Sequence, residues 1–206
     1  MKNWDEFEAL IDEANEFFEN CLFKEAKEVL EEIEEEFPGE PETAFALALI
    51  LEREPKEAEQ AKKLFQFAYE KDPETFHLPL KISKEELEKI ADDVINEIKA
   101  PFQKELKKLP IFIEELPSEE DLTINDDEEI LPPSIWGLFK GRNAAEDNDQ
   151  GASGRVTPPQ IIIYRRNLCR DCENLKELRS ELKITILHEV AHYFGLSEED
   201  VEKLGL

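Results

Sequence analysis

With 206 residues and 40% hydrophobic side chains, the chain is long enough to bury a core in one or two domains. Its 51 acidic against 25 basic residues leave a formal charge of −26, which repels phosphate backbones and anionic lipid, so neither nucleic acid nor a membrane is an expected partner. No apolar run reaches the roughly 18 residues of a membrane span, and MKNWDEFEAL has neither a basic leader nor an apolar signal core, so the expected location is the cytoplasm.

From about Trp4 to Glu74 apolar residues recur at three- and four-residue spacing with no strand-like alternation, which predicts an all-helical unit over 1–76. The segment repeats itself: Ala26 and Ala61, Leu30 and Phe65, Ile33 and Ala68, and Pro38 and Pro73 are all separated by 35 positions. On these residues, with Ala14 and Phe17 in the first copy, 7–40 and 42–75 resemble tetratricopeptide repeats. The second copy departs from that pattern at Leu49 and Glu52. The resemblance implies a surface for a peptide segment or a protein partner, and the competing reading is a stabilising cap on the C-terminal part of the chain.

FHLPLKI, residues 76–82, interrupts the helical pattern, and Ser83 with Glu86 three residues later is a capping box that opens a helix to about Lys99 and a second domain over 83–206. Pro101 kinks or restarts the following amphipathic stretch and Pro110 ends it. IFIEEL after Pro110 alternates as a strand does, Ser118 with Asp121 opens a short helical turn, and IWGLFKG from Ile135 to Gly141 is a second strand. Residues 141–160 read as a long loop, and the β-branched run Ile161–Tyr164 as a third strand. A final helix starts at the Asn174 cap, runs through Leu175, Leu178, Leu182, Ile186, Val190 and Phe194, and stops at Gly195.

That helix contains HEVAH, residues 188–192. Two histidines at i and i+4 lie on one helix face, close enough to hold one zinc ion, with Glu189 as the general base of a metal-activated water. This is the peptide-hydrolysing arrangement expected of H-E-x-x-H on a helix. Two of the three histidines in the chain fall in the motif, and the competing reading is a pair of surface histidines beside a charged neighbour.

Residues from about Ser83 to Leu206 resemble the small zincin-like metallopeptidases, a minimal, mostly bacterial family. There two strands and a loop precede a C-terminal helix carrying H-E-x-x-H-x-x-G, matched here by IIIYRR (161–166) and by ENLKELRSELKITILHEVAHYFGLSEED (173–200). The resemblance implies an acidic third zinc ligand six residues after the second histidine, commonly Asp, which is Glu198 in this chain. Ser197 with Asp200 also fits a capping box, so a purely structural role for these acids competes. Asp200 and Glu181, the latter seven residues before His188 on nearly the same face, are the substitutes. The only methionine is Met1, so the methionine turn of larger zincins is absent, as it is in the small family.

An oxyanion donor could come from Tyr164, Tyr193 or an arginine, each with a competing packing role. Three cysteines, Cys21, Cys169 and Cys172, argue against a disulfide framework. CRDC over 169–172 lacks a second pair for structural zinc and reads as loop thiols. His77 reads as a half-buried boundary residue. The expectation is therefore an α+β protein, an all-helical repeat unit followed by a small zincin-like α+β domain, acting as a zinc-dependent peptidase on a peptide or protein substrate. The alternative is a weakly active or non-catalytic protein-binding module that keeps the metal site.

Overall fold

The computed structural model describes residues 3–98, 103, 106, 109–123, 130–142, 158–197 and 199. Two compact units emerge, one of residues 1–78 with 117–133 and the other of 79–116 with 134–206. The sequence boundaries of 1–76 and 83–206 leave 117–133 in the second part of the chain, whereas here that segment groups with the helices.

The first unit contains α1 (Trp4–Glu19), α2 (Phe23–Glu36), α3 (Pro41–Leu51), a 3-10 turn at Pro55–Glu57, and α4 (Ala58–Lys71). Residues at the 35-residue offset occupy equivalent buried faces: Ala26, Leu30 and Ile33 in α2, Ala61, Phe65 and Ala68 in α4. Phe7 and Phe37 meet edge to face at 5.4 Å and hold α1 against the end of α2. In 117–133, Ser118 and Asp121 form the expected capping box around one helical turn, Glu119–Leu122, which buries Leu122. This segment is tied into its unit by the Arg53 guanidinium, which donates to the Pro117 carbonyl at 2.6 Å. The Cys21 thiol also points to the Leu131 carbonyl at 3.8 Å.

The second unit begins with α5 (Lys84–Glu97), whose Ser83–Glu86 capping box is present in full. The strands are β1 (Ile111–Glu114), β2 (Gly137–Lys140) and β3 (Gln160–Tyr164), in the order β1-β3-β2. β1 pairs parallel with β3, and β2 antiparallel, with Gly137 opposite Ile163 and Phe139 opposite Ile161. The β-branched run takes the central position because only there are both faces and both edges of a short apolar strand covered. Behind Ile113, Ile161 and Ile163 lies the core, made with Leu87, Ala91 and Val94 of α5 and the apolar stripe of the last helix.

The chain turns directly from β3 into α6 (Arg165–Asp171), where a loop was expected. Leu168 and Cys169 are the only apolar residues of RRNLCRD, too few for helical periodicity to show, yet both are fully buried. Then comes α7 (Leu175–Tyr193), with the Asn174 side-chain oxygen accepting the N–H groups of Lys176 and Glu177, both at 3.1 Å. Gly195, at φ +78°, ends it: the Gly195 N–H reaches the His192 carbonyl and the Leu196 N–H the Ala191 carbonyl, a Schellman closure. Among the described residues no helix is long and apolar enough to cross a membrane.

Candidate metal centre

The buried stripe of α7 is Leu178, Leu182, Thr185, Ile186, Glu189, Val190 and Ala191, against α5, β2 and β3. Apolar residues fix how the helix is rotated, and that rotation brings His188 and His192 to its half-buried flank. Their Nε2 atoms are 3.0 Å apart and the ring centroids 4.7 Å apart, at 68° between planes. Two imidazole nitrogens meet this closely around one shared N–H or one shared cation. Two nitrogens each about 2.0–2.1 Å from a tetrahedral zinc stand roughly 3.3 Å apart, so the pair fits the ion with a small adjustment of the rings.

Glu189 is only 7% exposed. With Thr185 it is one of two polar residues in a stripe that is otherwise apolar. The side chain lies against the first residue of β2: a Cβ built on Gly137 would stand 3.2 Å from Glu189 Oε1 and 3.3 Å from its Cγ. The same point is 2.6 Å from Thr185 Cγ2, while the Thr185 hydroxyl donates to the Glu181 carbonyl at 2.8 Å. Gly137 and Thr185 were not singled out from sequence. The available signal was a glycine inside a strand pattern, which marks close backbone approach.

Glu198 and Asp200 lie outside the described residues. Glu181 is half-buried two helical turns before His188, a rise of roughly 10 Å, and among the described residues no three His, Cys, Asp or Glu side chains come together as a metal cluster. Glu181 is thus not brought to the imidazoles. Strand alternation puts Tyr164 on the opposite sheet face from Ile163. Its fully buried hydroxyl has no hydrogen-bond partner among the described residues. Burial first, then the charges of Glu114 and Glu189, push its phenol above the ordinary tyrosine range. Tyr193 is half-buried between Phe139 at 5.8 Å and Phe194 at 5.3 Å.

The arginines nearest this strand are already engaged. Arg165 pairs with Glu115 through Nε and Nη2 and donates Nη1 to the Ile82 carbonyl, while Arg166 Nε reaches Glu115 at 2.9 Å. Their hydrogen bonds, those of Arg165 foremost, hold the Glu115 carboxyl down to about 2. Cys169 lies within α6 and Cys172 in the connection that follows it, and both are buried in the core, not exposed on a loop. Burial chiefly pushes Cys169 up, and Cys172 up to about 12. Burial of this kind disfavours the thiolate, the form in which a cysteine reacts or binds metal. His77 is exposed, not half-buried.

Residues 106–206 match the model of a family described as zincin-like metallopeptidase. The match covers β1, β2, β3, α6 and α7, and with them His188, His192, Glu189, Gly137 and Thr185, and it supports a zincin-like relationship for this half of the chain. A search of curated proteins finds no match.

Proposed function

We propose that the chain is a zinc-dependent peptidase, and the single observation that carries this reading is the convergence of His188 and His192 Nε2 at 3.0 Å, one residue from a buried carboxylate. His188 and His192 would hold the ion, with Glu198 as the acidic ligand that the family resemblance implies. A zinc ion held there supplies Lewis acidity, lowering the pKa of water toward about 7 and polarising a carbonyl. Glu189 takes up a proton on its carboxylate and returns it to the leaving amine, which is general acid–base work contributing typically about 10²–10⁴-fold. Its low exposure strengthens that role, because charge interactions gain in a site shielded from water.

The substrate class derives from the sheet. Among the described residues β2 pairs with β3 alone, and an extended peptide added along its other edge would lie beside the helix that carries Glu189. The test is Glu189→Gln on purified protein. About one zinc per chain remains, measured by elemental analysis, while cleavage of a diverse peptide mixture falls at least about 10²-fold. Undiminished cleavage by this variant, or no cleavage by the zinc-loaded wild type, rejects the proposal. The second result leaves the metal-holding binding module as the better account.

A further inference from the structure

Glu189 does not hold its place by helix geometry alone; a slot walled by Thr185 and floored by the bare Cα of Gly137 receives it. We infer that Gly137 is a positioning residue for Glu189, glycine being required there for space. This rests on the reading of Glu189 as general base.

A glycine can be required for its backbone or for its lack of a side chain. Gly39, Gly141 and Gly195 have positive φ, a backbone conformation that disfavours side chains. Gly137 is not among them; it opens β2 in ordinary strand pairing opposite Ile163. Any residue could adopt its backbone, but none could fit. An added Cβ would stand 2.6 Å from Thr185 Cγ2, well inside contact distance, with Glu189 Oε1 and Cγ at 3.2 and 3.3 Å.

Thr185 yields poorly to such a push. It is β-branched on a helix, where χ1 is restricted, and its hydroxyl is tied to the Glu181 carbonyl. Core packing of Ile186 and Val190 on the same helix keeps α7 from retreating. Two movements follow: the edge strand lifts from the helix to clear Thr185 and takes the slot with it, and Glu189 rotates to clear the contacts at 3.2 and 3.3 Å. In both cases the carboxylate loses its alignment with the imidazole pair, and a displacement of about 1 Å at a reacting group can cost on the order of 10²-fold in rate.

Three variants test this in the zinc-loaded full chain: Gly137→Ala, Thr185→Ser and the double variant. Gly137→Ala is expected to keep its zinc and to lose on the order of 10²-fold in kcat. Its crystal structure should show the Glu189 carboxylate out of its wild-type position. Thr185→Ser removes Cγ2 and keeps the hydroxyl. With Thr185→Ser alone as the reference, adding Gly137→Ala should cost far less kcat than it does in the wild type, and Glu189 should return to its seat.

Wild-type kcat in Gly137→Ala, or an equal loss when it is added to Thr185→Ser, overturns the inference while leaving the peptidase reading intact. If the wild type cleaves nothing, the peptidase reading falls. The crystallographic shift of Glu189 and its reversal by Thr185→Ser then still decide whether Gly137 positions it.

Discussion

Helices α2 and α4 of the first unit and α7 of the second share the same three- and four-residue apolar spacing, yet they bury different things. In α2 and α4 the buried residues are Ala, Leu, Ile and Phe only. In α7 the stripe is broken at Thr185 and Glu189, one turn apart, and His188 and His192 flank the break. An apolar face needs only volume and shape, so many sequences serve. A buried carboxylate needs polar compensation as well as volume and shape, so fewer sequences serve. The largest expected effect breaks this contrast directly. His188→Ala or His192→Ala should reduce bound zinc from about one per chain to near none and take cleavage with it, since half the imidazole set disappears. Elemental analysis and peptide cleavage check both; a variant that retains stoichiometric zinc removes the imidazole pair as the metal centre.

A smaller effect sharpens the comparison by matching the two regions residue for residue. Leu30 in α2 and Ile186 in α7 are both fully buried aliphatic side chains. Replacement of either by Ala should cost about 2–5 kcal/mol in its own unit, read by urea unfolding. Only Ile186→Ala, two residues before His188 on the same helix, is expected to weaken zinc binding, because the helix rotation that presents the imidazoles depends on that stripe. Equal zinc affinity in the two variants would show that the histidines converge without help from the core beneath them.

The helices of the first unit and both capping boxes were legible because each rests on local signals: apolar period, a Ser cap, a Glu or Asp three residues on. Ile161–Tyr164 was legible as a strand for its β-branched run, and its central position agrees with that composition. The HEVAH spacing likewise anticipated the meeting of His188 and His192, a relation internal to one helix. What could not be read was anything formed between elements. α6 hides in a polar heptapeptide whose two apolar residues are anchored by distant core partners, so Cys169 looked like a loop thiol. The Gly137–Thr185–Glu189 contact joins residues about 50 positions apart, where no periodicity operates. Grouping of 117–133 with the helices is another long-range matter, marked by the Arg53 and Cys21 ties to the Pro117 and Leu131 carbonyls. Asn174→Ala tests a legible feature: loss of a two-N–H cap should cost about 1 kcal/mol, lowering the midpoint of unfolding for the second unit. A cost below about 0.3 kcal/mol would mean that core packing, not the cap, sets where α7 begins.

The smallest expected effect concerns the polar tie at the end of β1, where the sheet unit uses charge and not apolar volume. Glu115 accepts from both Arg165 and Arg166, and Arg165 also reaches the Ile82 carbonyl, so one carboxylate joins the end of β1 to the start of α6. The carboxyl is held at about 2 against an ordinary 4.5, so the folded state favours its charged form. Its stabilising contribution is therefore fully present above pH about 4.5 and is lost as pH falls from there toward 2. The Glu115 side chain is 46% exposed, which lets solvent screen the pair and limits the contribution to about 1 kcal/mol or less. Glu115→Gln should thus differ from wild type by no more than that at pH 7, with the gap closing between pH 4.5 and 2 and shrinking in 1 M salt. A gap that stayed constant across that pH window would assign the tie to shape and neutral hydrogen bonding, making the sheet unit as indifferent to charge as the buried faces of α2 and α4.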